Sequence, residues 1–327
     1  HHFPFGVTTC VDAGTSGAKT FDKFKELIDK SRMRVLAFIN VSSAGMNENE
    51  GDPHRFNVNL MVETAKKYPD VVVGFKSAHY HGGEYKGLDK PWASVDSTIA
   101  AGNLANLPCM FDVHMRKPEF GQPERSYRGL ILDKMRPGDI HTHNYAAHFP
   151  VIMDNGKVNP DIIKAQKSGR IFDVGHGGGS IVFRNAVPAI KQGYLPDAIS
   201  TDLHSGSVNG PALGMINVMS KFLNIGLTLE QVIEKSTYAP AQIIRRPELG
   251  NLSVGSTADI AVIKLINGKF TYLDTSGGKI DGDKKLECVM TLFGGRVVFD
   301  PGGLSYPYWE NIPKDDRYWI NYTGQYW

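Results

Sequence analysis

Short, nearly continuous runs of β-branched and apolar residues recur about every 25 to 40 residues along this chain, the length of a strand plus the helix that crosses back over its sheet. Val7–Val11, Arg34–Val41, Val71–Lys76, Pro108–His114, Asp139–His143, Arg170–Val174 and Ala198–Asp202 make up the series. Runs that are apolar without alternation belong to strands covered on both faces, as in a parallel sheet. Between them lie amphipathic stretches with apolar positions at helical spacing: Thr20–Ser31, Asn57–Tyr68, Trp92–Asn103, Asp161–Ser168 and Ala212–Asn224. The order is βαβα, which permits an open doubly wound sheet or a closed barrel. Seven candidate strands whose series starts almost at the first residue favour an α/β fold of the (β/α)8 TIM type, lacking its first strand in this chain.

After a helical stretch at Thr228–Arg245 the pattern changes. Asp259–Leu265, Lys269–Asp274 and Glu287–Phe299 read as three β runs separated by Gly and Asp turns, a small partial β-sandwich on the C-terminal side. From Pro301 onward Tyr and Trp are frequent but nothing is periodic. The expected organisation is a barrel over residues 1–250, a small β domain over 251–300 and an irregular arm over 301–327. The aromatic tail Tyr306–Trp327 offers a contact surface for a second copy, so a homo-oligomer is a reading to carry forward.

Composition removes several function classes. The 36 Lys and Arg nearly balance the 34 Asp and Glu and are scattered, so there is no footprint for nucleic acid. Cys10, Cys109 and Cys288 are odd in number and lack C-x-x-C spacing, which argues against a disulfide framework or a zinc knuckle. No apolar run approaches the roughly 20 residues of a membrane span. The chain reads as soluble, in cytoplasm or periplasm. His1-His2 leads at once into a strand-like run, so the expectation is that the true N-terminus is not seen.

Polar residues sit in a telling place. Lys76, His114, His143, His176 and Asp202 each stand at or just past the C-terminal end of a separate candidate strand. In a (β/α) barrel those ends converge on one face. Either histidine of the pair His114 and His143 alone is more often a hydrogen-bonded core residue than a ligand, but together on adjacent strands they read as metal ligands. Alternation in His141-Thr142-His143 puts both rings on one face, with His143 nearer the strand end and His141 behind it. Lys76 closes an otherwise apolar strand and needs a carboxylate partner or a modification. Asp202 is either a loop or helix-capping carboxylate, or a metal ligand that also serves as general base. His176, in Gly175-His176-Gly177-Gly178-Gly179, is expected exposed at the rim, holding a substrate oxygen. The same glycine run could be a phosphate nest, although it lacks the spacing of a dinucleotide fingerprint. His79 and His81 form an H-x-H in a glycine-rich loop, to be weighed as metal ligands against a loop over the substrate. His204 joins His141 and His79 as a residue around the centre, and Tyr145, Arg116 and Arg184 are candidate substrate contacts.

These residues resemble the amidohydrolase superfamily, in particular its dihydroorotase-like and N-acyl-amino-acid deacetylase-like metallohydrolases. The resemblance is carried by Phe5–Gly14, Arg32–Asn40, Gly74-Phe75-Lys76, Phe111–His114, Arg136–His143, Phe172–Gly178, Ser200–His204 and Gly255–Ala261. It implies a (β/α)8 barrel with one or two divalent metal ions, usually zinc. Lys76 would be carboxylated and bridge the metals, with His114, His143 and Asp202 as further ligands and His176 on the substrate. Metal-bound hydroxide would attack the amide or ester bond of a small molecule such as an N-acyl amino acid or a cyclic amide, with Asp202 as general base. The family takes two more ligands from an H-x-H ending its first strand, which this sequence does not contain. The alternative is therefore a non-catalytic barrel binding a small ligand, or an inactive fragment.

Overall fold

A computed structural model describes residues 2–47, 49–78, 91–112 and 125–312. The sheet at its centre is parallel, six-stranded and ordered as in the sequence: β1 (Thr9–Gly17), β2 (Arg34–Asn40), β3 (Val72–Ala78), β4 (Cys109–Asp112), β5 (Ile140–His141) and β6 (Ile171–Phe172). Neighbours in sequence are neighbours in space, so each parallel pair is joined by a crossover connection. Helices α1 (Phe21–Asp29), α2 (Val58–Lys67), α3 (Ala93–Ala105) and α4 (Pro160–Lys167) lie between β1 and β2, β2 and β3, β3 and β4, and β5 and β6, a π-helical turn at Gly129–Lys134 lies between β4 and β5, and α5 (Phe183–Lys191) follows β6.

Local chemistry marks the helix starts. The side chain of Asn57 accepts the Leu60 amide ahead of α2, and Asn159 does the same for Asp161 with Pro160 in the first helical position of α4. Helices α6 (Met215–Ile225), α7 (Leu229–Ser236) and α8 (Tyr238–Ile243) follow, α7 opened by a capping box between Thr228 and Gln231.

The seventh expected strand is reduced to one parallel bridge, Asp173 to Ala198, but its backbone bonds run on: Val174 N donates to Ala198 O, His176 N to Ser200 O and Gly177 N to Thr201 O. Residues 198–201 thus keep the place of a strand while the glycine run pulls the pair out of regular pleat.

Two apolar layers flank the sheet. Leu36, Phe38, Val73 and Ile140 fill the inner side with Val11, Met110 and Ile171, and Ala241 and Leu249 close it from below. Gly74 has no side chain because Phe38 occupies that space: a Cβ there would stand 2.3 Å from the Phe38 ring. The outer layer, including Phe21, Phe75, Phe111, Phe172, Tyr145 and Phe222, packs sheet against helices. Continuing the inner face upward along each strand gives Asn40, Lys76, Asp112, Thr142, Asp173 and Ser200, so the interior turns polar at the C-terminal ends.

The antiparallel sheet at the C-terminal side consists of β7 (Ile260–Leu273), β8 (Lys279–Phe293) and β9 (Arg296–Phe299). The turn expected near Gly268 is a register shift within one long hairpin, and the reversals fall at Asp274–Gly278 and Gly294-Gly295. Ser220 and Asn224 of α6 bond the β8 backbone at Leu286 and Lys284, and Arg34 pairs with Asp259. Among the described residues no helix is long and apolar enough to cross a membrane.

Candidate metal centre and its comparisons

Lys76 enters from β3, where every residue is buried, and is itself 3% exposed. Its stem lies over Gly14 of β1, where a Cβ would come within 2.8 Å of the Lys76 Cβ. Glycine at φ +94 is what lets β1 pass beneath a lysine pointing up the interior.

His143 lies two residues beyond the end of β5, in a left-handed conformation at φ 61. Its Nδ1 donates to Gly175 O at 2.6 Å, and its Nε2 stands 3.1 Å from Asp112 Oδ2. A carbonyl can only accept, so the proton is on Nδ1 and the Nε2 lone pair faces Asp112 in the neutral ring. Burial pulls the proton affinity of this imidazole down, yet the Asp112 charge and hydrogen bond, helped by Asp202, raise it above the ordinary histidine value despite Lys76. His143 therefore feels the charges of Asp112, Lys76 and Asp202.

Asp173 completes the floor. Its Oδ2 accepts from Thr142 Oγ1 and Ser200 Oγ, both at 2.8 Å. Burial raises its pKa, and the two hydroxyls, His143 and Lys76 only partly offset that. Asp202 is exposed, at φ 41, with its carboxylate over Gly177, where a Cβ would meet Oδ2 at 2.4 Å. Its loop is tied by Ser207, whose hydroxyl reaches Asp202 O and His204 O at 3.3 Å.

Lys76 and Asp202 thus lie within electrostatic range of His143. His114, His79, His81 and Arg116 lie outside the described residues. His204 is exposed beside Gly178, its Nδ1 accepting the Gly206 amide, and Arg184 is exposed on α5.

Three expectations change. His141 does not share surroundings with His143: it stacks on Phe172 at 5.6 Å and meets Tyr127 and Phe149 edge-on in the outer layer. Strict alternation predicts one face for both rings, but the positive φ of His143 breaks the period and turns its ring inward. Burial drives His141 down to about 3. Tyr145 is fully buried, its hydroxyl donating to Tyr194 O at 3.4 Å. His176 is fully buried rather than at the rim, with Nδ1 on Gly177 O at 2.9 Å and Nε2 accepting from Lys221 Nζ at 2.7 Å.

Asp112 and Asp173 escaped the sequence reading. Asp112 was legible in principle, because period two puts it on the face of His114 in Phe111-Asp112-Val113-His114. Asp173 looked like any polar residue ending a strand.

Among the described residues no group of three or more His, Cys, Asp or Glu side chains is placed to hold a metal ion. By residue type, the His143 imidazole and the Asp112 carboxylate beside it, with the Asp202 carboxylate exposed on the neighbouring loop, are donors of the kind a divalent cation takes.

Comparison with known proteins agrees with this architecture. The model of the amidohydrolase family matches residues 180–298. A curated deacetylase of Brucella anthropi is 31% identical over 290 residues, covering 83% of this chain and 67% of its own length. Among solved structures, an adenine deaminase superposes with a TM-score of 0.82 at 25% identity, covering 90% of this chain and 78% of that one. A dihydroorotase gives 0.77 at 28% identity, covering 91% and 78%. The chain spans about two thirds of the curated deacetylase, and on that extent of likeness it belongs to the amidohydrolase family and is a hydrolase of the amidohydrolase type.

Proposed function

We propose that the protein hydrolyses the amide bond of a small molecule, such as an N-acyl amino acid or a cyclic amide, at a divalent metal centre that takes zinc. The observation that supports this reading is His143, whose Nε2 stands 3.1 Å from Asp112 Oδ2 and whose imidazole feels the charges of Lys76 and Asp202, residues from separate segments of the chain. The likeness to a deacetylase and a dihydroorotase supports the bond type.

Lys76, His114, His143 and Asp202 would hold the metal, with Lys76 as its carbamate. Carboxylation turns a buried ammonium into an anion, which suits a strand with no other charged side chain. A bound divalent cation supplies Lewis acidity, polarising the scissile carbonyl and making water acidic enough to attack near neutral pH. The chain supplies the rest. Gly175 O holds the His143 proton on Nδ1, so that Nε2, which faces Asp112, is the nitrogen that would coordinate. Asp202, exposed at the mouth, takes the proton from the attacking water at its carboxylate and delivers it to the departing nitrogen. Asp173, through Thr142 and Ser200, keeps the floor rigid.

The test is metal analysis of the full-length protein together with hydrolysis of N-acetyl amino acids and cyclic amides by the parent and by Asp202→Asn. Bound divalent metal and a rate lost in the variant are expected. A metal-free protein whose Asp202→Asn form keeps its full rate would end this reading and leave a ligand-binding barrel in its place.

A further inference from the structure

Lys221 is the one lysine of α6, and it points inward. It is 1% exposed, among the largest fully buried side chains of the described residues. An ammonium there forfeits its hydration and must find partners. Its Nζ donates to His176 Nε2 at 2.7 Å and to Pro211 O at 2.6 Å. Asp274, itself buried, is the opposing charge, but its oxygens already accept the amides of Phe183, Ser276 and Gly278. Burial accordingly brings Lys221 down to about 7 despite Asp274. His176 falls to about 4, through burial first and the Lys221 charge second.

The two acceptors belong to different loops. His176 sits between Gly175, whose carbonyl accepts the hydrogen bond from His143 Nδ1, and Gly177, on which the Asp202 carboxylate rests. Pro211 lies in the loop that runs from Asp202 to α6. With Nδ1 of His176 spent on Gly177 O, its ring has a single lone pair, and Lys221 occupies it.

We infer that Lys221 is a positioning residue: bonded to His176 and to Pro211 O, it clamps the glycine loop after β6 to the loop carrying Asp202, so that His143 and Asp202 are held in register. The inference rests on the proposed function for its kinetic consequence but not for its structural one. Neither Lys221 nor His176 meets substrate in this arrangement. Their effect passes through Gly175 O to His143 and through Gly177 to Asp202.

The test uses metal-free, 15N-histidine-labelled full chain and reads imidazole tautomers by long-range proton–nitrogen correlation, with His143 and His176 assigned from single variants. In the parent, His176 is neutral with its proton on Nδ1. Lys221→Met keeps the length and removes the donor; His176→Leu removes the acceptor from the other side. Each is expected to perturb the His143 resonances and to lower kcat roughly 10- to 100-fold with KM little changed, the range for groups that orient a ligand. The double variant is expected to lose no more than the worse single one, because both break one clamp. A His176 proton on Nε2 in the parent overturns the inference. So do unchanged His143 signals and kcat in either folded variant, or losses that simply add. If Lys221→Met does not fold, His176→Leu and the parent tautomer decide. Should the parent hydrolyse no amide at all, the proposed function fails while the tautomer readout still judges the clamp.

Discussion

His143 and Gly175 are locked together by a 2.6 Å bond from imidazole Nδ1 to backbone carbonyl, and the same glycine leaves no room for a side chain. A Cβ on Gly175 would lie 2.3 Å from Thr142 Oγ1 and 2.6 Å from His143 Nδ1, at a backbone φ of +47 that L-residues seldom adopt. Gly175→Ala should therefore displace the imidazole and weaken divalent-metal affinity roughly 10- to 100-fold. Titration of the apo-protein against a competing chelator reads this directly; an unaltered affinity would show that the carbonyl does not orient the ring.

Gly177 bears on the other side of the centre. Its Cβ would meet Asp202 Oδ2 at 2.4 Å, and the carboxylate is the mobile partner because it is exposed. We expect Gly177→Ala to lower kcat by on the order of tenfold or more, as a misplaced general base does, while metal affinity changes less than in Gly175→Ala. Parallel kinetics and metal titration of the two alanine variants separate the roles, and an equal loss of affinity in both would contradict the separation.

His141 should be dispensable for chemistry and costly for stability. Both ring nitrogens are buried without a hydrogen-bond partner, among Phe172, Tyr127 and Phe149. An unsatisfied buried polar group costs about 1–3 kcal/mol, and an apolar ring of similar shape removes that cost. His141→Phe is expected to raise the unfolding free energy measured in urea by about 1–2 kcal/mol. A fall in stability instead would mean that the imidazole has a bonded partner.

Lys221 predicts a pH dependence with a definite sign. Its pKa falls from 10.5 unfolded to about 7 folded, chiefly through burial. Between those values the unfolded chain binds a proton that the native one does not, so this residue makes stability increase as pH rises from about 7 towards 10 and is a cost below 7. The full swing is on the order of 5 kcal/mol. Unfolding midpoints measured across that range, parent minus Lys221→Met, should show the slope; other groups titrating there cancel in the difference. A flat difference would mean that Lys221 keeps its charge inside the fold.

How much of this was legible depends on the kind of signal. The apolar runs announced a parallel sheet because a strand buried on both faces has no polar side to show, and the polar residues closing Val71–Lys76 and Asp139–His143 announced where its chemistry would collect. Period-two logic then misplaced His141, because it assumes an unbroken pleat and the left-handed backbone at His143 ends it. His176 misled in the opposite way: flanking glycines suggested exposure, whereas they let the chain turn tightly enough to bury the ring against Lys221. Lys221 itself looked like one more lysine in a helix.

The sequence by itself determined the order and kind of elements and which strands end in ionisable groups, since these follow from hydrophobic period and local chemistry within a few residues. Tertiary structure alone decided which of those groups face one another, which tautomer His143 holds and which histidines are hidden. Such facts depend on backbone angles at single residues and on contacts between positions 30 to 60 apart, such as His143 with Gly175 and His176 with Lys221, and no local pattern encodes them.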